Sequence, residues 1–262
     1  MSAKPTSMIS KAFLTVTLGG LFSLPMAALA ESQRTEFTKE NWFPNNELWE
    51  VGARLKLVEF NDQGEQFSTS DYNTYMAVPY ARYGLTDDLS LDIAIPVGVA
   101  ERDVGSDDSG LGNIEIGLQL RAHEHVTDYP FVIPHAELIL DTADSDTLLD
   151  DGRDGVNFGV SVGTRRNDIL IWVADVGYSV RSDRENSLQA SLSLIAEVND
   201  RFSFIGEARV TDEDDAENDT PVRFLGGLAY DWSRSLQVSL YAGGAVNSDE
   251  DVVTMLKSSY SF

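Results

Sequence analysis

The 262-residue chain contains no cysteine, which excludes a disulfide framework, a thiolate metal site and a cysteine nucleophile. Positive charge is scarce: 19 Lys and Arg stand against 43 Asp and Glu, a formal −24. Nucleic-acid binding runs through Lys/Arg neutralisation of phosphate, so the balance excludes that partner. Only three histidines are present, which leaves little for imidazole chemistry. Beyond residue 30 no apolar stretch is long enough for a membrane helix.

The start of the chain has the form of an export leader. Lys4 and Lys11 are followed by an apolar run over 12–24, broken by Pro25, and Ala28-Leu29-Ala30 supplies small residues before a cleavage site. The expected domains are a signal peptide over 1–30, a short periplasmic segment over 31–46 and a membrane domain over 47–262. Loss of the leader makes the net charge −26, because Lys4 and Lys11 go with it. With no spanning helix, a membrane domain here has to be a closed β-barrel, the other structure that satisfies every backbone group in lipid.

Period-two alternation supports that fold. Over 89–100, Leu89, Leu91, Ile93, Ile95, Val97 and Val99 share one face, with Ser90, Asp92, Ala94, Pro96, Gly98 and Ala100 on the other. The same pattern runs over 113–121, 156–165 and 187–199, as a half-buried transmembrane strand requires. Weaker alternation marks 47–60, 72–83, 131–141, 169–181, 203–211, 222–232, 236–247 and 253–262. The expected fold is therefore all-β, a transmembrane antiparallel barrel of about twelve strands. An even count puts both termini at the periplasmic end, with short turns there and acidic extracellular loops opposite. The outer connections (61–71, 101–110, 142–155, 182–186, 212–221 and 248–252) hold 23 acids against Arg102, Arg153 and Arg184. A shift of one strand in parity would scatter those charges between the two ends.

Trp49, Trp172, Phe204, Tyr230, Trp232, Tyr260 and Phe262 fall near periplasmic strand ends, where a barrel needs its aromatic girdle. The ending at Tyr260 and Phe262 also resembles the terminal signature of bacterial outer-membrane β-barrels, which implies reading by a barrel-assembly machinery. A soluble β-sandwich would use the same alternation, but it accounts neither for the leader with Phe262 nor for charge on one side.

The motifs are weak. Gly110-Leu111-Gly112 precedes a strand and lacks a third glycine, so it is no phosphate loop. His123-Glu124-His125 lies in an expected turn without further donors for zinc. Asp144, Asp146, Asp150 and Asp151, with Asp212, Glu213, Asp214 and Asp215, form an acidic rim for weak divalent-cation binding. The spacing from Asp144 is not that of a calcium hand, because Leu148 and Leu149 occupy a ligand and the glycine position. His135, with Glu137 on the same face, reads as a lumen hydrogen-bonding group rather than a hydrolase base, since no serine stands beside it. No catalytic residue, specific metal site or cofactor is expected.

The expected lumen lining carries both signs. Glu50, Asp92, Glu115, Glu137, Asp175, Glu197, Glu207 and Asp231 face inward with Arg54, Lys56, Arg121, Arg165, Arg209, Arg223 and Lys257, and with His135. Unpaired charge in a narrow barrel is costly, so these groups should pair. They either line a hydrated path or lock together and fill it.

The segment 109–121, SGLGNIEIGLQLR, and the segment 82–96, RYGLTDDLSLDIAIP, resemble the outer-membrane family named for a phenol meta-pathway degradation protein. The resemblance is specific over the span 82–121. It implies an outer-membrane barrel of Gram-negative cells, in contact with lipid and lipopolysaccharide, that transports small hydrophobic or aromatic compounds. Residues 31–46 are expected to be too short for a luminal hatch like that of larger hydrocarbon channels. A non-conducting barrel that binds divalent cations or a partner is the alternative, and an outer-leaflet enzyme the third reading. Whichever holds, carboxylates crowded within a Debye length of roughly 8 Å attract counterions. Millimolar calcium should therefore raise the melting temperature of the purified barrel. Reconstituted protein should favour cations, and neutralising the eight rim acids together should abolish the calcium response.

Overall fold

The computed structural model describes residues 33–60, 72–102, 107–123, 130–143, 154–166, 169–182, 186–213, 220–247 and 250–262. The leader and cleavage region fall outside these residues, as do Glu124, His125, Asp144, Asp146, Asp150, Asp151, Asp214 and Asp215.

Fourteen strand segments are present among the described residues. They are β1 (Trp49–Phe60), β2 (Tyr72–Thr86), β3 (Leu89–Ala94), β4 (Val97–Arg102), β5 (Asp108–Leu111), β6 (Ile114–Leu120) and β7 (Phe131–Leu140). β8 (Gly155–Arg166), β9 (Leu170–Arg181), β10 (Ser187–Asn199), β11 (Phe202–Glu213), β12 (Val222–Asp231), β13 (Leu236–Val246) and β14 (Glu250–Ser261) follow. They make twelve staves. β3 and β4 lie end to end along β2, and β6 and β5 lie end to end along β3 and β4. Antiparallel pairing of β1 with both β2 and β14 closes the sheet, leaving no edge in lipid.

The breaks have a local cause. Pro96 has no N–H to give the ladder. The chain bends there, with the Ile95 amide donating to the Pro79 carbonyl at 3.0 Å and the Gly112 amide to the Pro96 carbonyl at 2.9 Å. Across the gap the Asn113 Oδ1 accepts the amides of Thr142 and Ala143, both at 3.1 Å. Backbone donors are thus met by a side chain where the ladder slips by one residue.

Several expected boundaries shift. Asp108 and Ser109 belong to β5 rather than to an outer connection, and Asp212, Glu213, Glu250 and Asp251 sit in β11 and β14. Strands simply run further toward the acidic rim than alternation alone suggests, because a polar strand end leaving lipid carries no alternation. Asp212 is exposed there.

Faces follow the expected parity. Leu91, Ile93, Leu118, Leu120, Phe158, Val176, Leu192, Leu194 and Leu240 are exposed on the exterior, an apolar band that only lipid would cover. Trp49 stacks beside Tyr83 at 4.6 Å, and Tyr230 meets Trp232 edge-on at 6.1 Å. Phe262 and Trp49 exchange backbone hydrogen bonds at 2.9 Å, so the terminal aromatics close the periplasmic end. Tyr260 faces outward but is 7% exposed.

The packed core lies inside the barrel. Phe131, Ile133, Ile171, Val173, Ile195, Ile205, Ala229, Tyr241 and Met255 point inward and cluster with Phe43 of the N-terminal segment. Gly227 makes room for the Tyr241 ring, since a Cβ there would lie 2.4 Å from it. This orientation yields a test. Leu192→Arg places a charge on the lipid face and should cost about 2–4 kcal/mol near the bilayer midplane, whereas Gln189→Arg on the inward face should cost far less. Urea titrations of both variants folded into vesicles would compare them.

Candidate functional site: a closed lumen

Residues 33–44 run inside the barrel, and Asn45 and Asn46 are exposed where the chain leaves it. Gln33, Arg34, Thr35, Thr38, Glu40, Phe43 and Pro44 are buried, which corrects the expectation of a periplasmic segment. The physical reason is economy of length. Residues 33–40 fold back on themselves, with the Glu40 carboxylate accepting the Thr35 amide at 2.8 Å and pairing with Arg34 at 3.1 Å. Twelve residues, 33–44, therefore suffice for a plug. The chain leaves at the periplasmic end past Gly84, whose carbonyl accepts the Glu47 amide at 2.8 Å; Glu47 itself takes a positive φ of 65°. A Cβ on Gly84 would lie 2.3 Å from the Asn45 carbonyl oxygen, so glycine is needed for this passage.

Wall residues hold the plug on every side. On β11, Glu207 accepts the backbone amides of Glu36 at 2.9 Å and Phe37 at 3.1 Å, and the Ser193 hydroxyl at 2.6 Å. Thr38 donates to Ser193 at 2.9 Å, and the Lys39 amide to Ser161 at 2.9 Å. Arg209 donates to the Phe37 carbonyl at 3.0 Å and lies 4.5 Å from the centre of its ring. The Tyr241 hydroxyl donates to the Arg34 carbonyl. On β1 and β14, Arg54 and Lys257 both pair with Glu36, at 3.4 and 3.1 Å, and Lys257 also donates to the Gln33 carbonyl at 2.8 Å. Arg34 bridges to Glu197 at 2.6 Å, and Glu197 also takes Arg165.

The remaining expected lining groups point inward too. Arg82 pairs with Asp92 at 3.3 Å and Glu50 at 3.9 Å, and Tyr80 donates to Glu50 at 3.0 Å. Glu115 lies 3.8 Å from Arg54, and Glu137 accepts Asn157 at 2.9 Å. Gln237 donates to Asp231 at 2.7 Å. Arg121 stands at the periplasmic mouth, bonded to Asp88 at 2.8 Å and lying 5.1 Å from the Phe43 ring centre. Arg223 faces Arg209 directly in the β11–β12 ladder, and Lys56 follows Arg54 on the same face of β1. His135 contacts Asp175 at 2.8 Å, and Ser161 donates to the same carboxylate oxygen. That hydroxyl is committed to the aspartate, not to the imidazole, so the trio is not arranged as a nucleophile and its base.

Matched signs do pair, but largely through a partner the alternation does not reveal. Arg34, Glu36, Phe37 and Glu40 were missed because an irregular segment has no period. The available signal was composition: Arg34, Glu36, Lys39 and Glu40 with Phe37, Trp42 and Phe43 are dense for a mere linker.

Residues 53–256 match the family model described as "Putative MetA-pathway of phenol degradation". The chain belongs to this family. Among solved structures it is similar to the COG4313 outer membrane channel from Pseudomonas putida F1, with 15% identity and a TM-score of 0.67, covering 88% of this chain and all of that one. The NanC porin matches at 8% identity and a TM-score of 0.57, over 81% of this chain and 98% of the porin. The KdgM porin, solved in complex with disordered oligogalacturonate, matches at 9% and 0.54, over 81% and 99%. No protein of curated function matches the chain. The matches show the fold, an outer-membrane-type barrel.

Glu36 gives the plug a pH dependence. Burial alone would raise its carboxyl, but Lys257, Arg54 and Lys56 outweigh burial and hold it at about 2, below its ordinary 4.5. A depressed folded-state value stabilises docking fully above the ordinary value, and this is lost as pH falls from there toward 2. Hydrogen-exchange protection of the Lys39 amide, which donates to the uncharged Ser161 hydroxyl, corrected for intrinsic rates, should therefore hold at neutral pH. It should fall below pH 4.5, and Glu36→Gln should weaken protection at neutral pH and flatten the acid limb.

Proposed function

We propose that this protein is a passive outer-membrane conduit for small solutes, closed in the observed state by residues 33–44. The observation that carries the reading is how the lumen is filled. A barrel whose interior holds a folded-back peptide has, once that peptide leaves, room for a small solute. A purely structural barrel would be expected to close wall to wall. The plug is held mainly by hydrogen bonds and ion pairs, which exchange with water more readily than apolar packing does.

Membership in a family described by phenol degradation and likeness in fold to an outer membrane channel support small, aromatic solutes and a non-enzymatic role. The apolar exterior supports a seat in lipid and lipopolysaccharide, reached after cleavage near Ala30 and assembly through the strand ending at Tyr260 and Phe262. Deleting residues 33–40 is the test. Liposome swelling with an uncharged sugar should rise roughly tenfold or more if the open form is a minor state of about 10% or less. Swelling equal to that of the intact chain would favour a non-conducting barrel.

A further inference from the structure

Lys257 on β14 is 7% exposed and stands directly opposite Arg54 in the β1–β14 ladder. Two like charges in directly opposed positions repel, and a buried ammonium without a counter-charge is costly. Among the described residues, both polar partners of Lys257 come from the plug: the Gln33 carbonyl at 2.8 Å and the Glu36 carboxylate at 3.1 Å. Arg54 shares Glu36 at 3.4 Å and otherwise reaches Glu115 at 3.8 Å. The wall alone therefore leaves this pair of cations short of one carboxylate, and Glu36 supplies it from a segment that is not part of the wall.

Beside this cluster lies a cavity of about 70 Å³, where Lys39, Arg54, Arg82 and Lys257 meet Glu36 and the wall carboxylates Glu50, Asp92, Glu115 and Glu137. It has room for a few waters but not for an aromatic ring beside Glu36. A solute that reaches Lys257 must displace the Glu36 side chain.

From this arrangement we infer that Arg54 and Lys257 form a binding site for a small organic carboxylate in the lumen, and that Glu36 is a tethered competitor for it. The inference rests on the conduit reading and adds to it a solute class and a means of opening. A carboxylate entering the lumen takes over the counter-charge role, and the plug loses the bonds that Glu36 and Gln33 make to Lys257. Occupancy and plug docking exclude one another, so the apparent affinity carries the cost of undocking.

The test uses the full chain in detergent, with benzoate as the probe and benzamide as its uncharged counterpart, by titration calorimetry at neutral pH. Glu36→Gln keeps the shape of the plug and removes the competing charge, so benzoate should bind at least roughly tenfold more tightly than to the unchanged chain. Lys257→Met should abolish benzoate binding, and Lys257→Arg should retain it. Heat-shifted electrophoretic mobility identifies variants that have folded, and the Glu36→Gln and Lys257→Arg arms stand even if Lys257→Met fails to fold. Equal benzoate affinity in Glu36→Gln and the unchanged chain would overturn the site. So would benzoate retained by Lys257→Met, or an equal gain for benzamide, which would mean mere loosening of the plug. Swelling of liposomes carrying the 33–40 deletion with an uncharged sugar reads the conduit separately, so either idea can fail alone.

Discussion

Closure of the ladder between β1 and β14 is the constraint on which everything else depends. In lipid each backbone N–H and C=O has to find a partner within the sheet, and the first and last strands provide it from Trp49 and Phe262 upward. Once the sheet is closed, alternate residues face opposite solvents. Apolar side chains go out to lipid, and the charged ones are confined to an interior where each needs a counter-charge.

That confinement explains why the interior is a core rather than a bare channel. The inward apolar cluster around Ile133, Val173, Ile195 and Ile205 packs against the N-terminal segment, while the ionic groups divide into two kinds. Arg82, Asp92 and Glu50 form ion pairs with one another along the wall. Glu207, Arg209, Glu197 and Lys257 look to the plug. Only the second kind loses hydrogen bonds or ion pairs if the lumen opens, whereas Arg82 would leave only the Trp42 ring, 5.8 Å away; this separates groups that build the barrel from groups that respond to its contents.

The barrel was legible in the sequence because lipid and lumen impose opposite chemistry on neighbouring residues. Leu188, Leu192 and Leu194 against Gln189, Ser191 and Ser193 could hardly face otherwise. The break at Ile95-Pro96 was hidden, since the alternation and the register with β2 pass through it unchanged, and the one-residue slip falls opposite it, between β5 and β6. The inward placement of Asp175, Glu197 and Lys257 followed from parity alone. Their partners did not, because Arg34 and Glu36 belong to an irregular stretch whose contacts lie on remote strands. No local pattern encodes a contact between Gln33 and Lys257.

The distances along the chain carry a consequence for biogenesis. The Gln33 carbonyl meets Lys257 across 224 residues, and the Arg34 carbonyl meets Tyr241 across 207. Contacts so non-local form late, because loop closure comes before any gain from them. The segment that precedes every strand is therefore the last to settle, and it waits for β14 to complete the surface it docks on. A nascent barrel would traverse its assembly pathway hollow and charged within. Sealing then becomes a report that the final strand has joined the first.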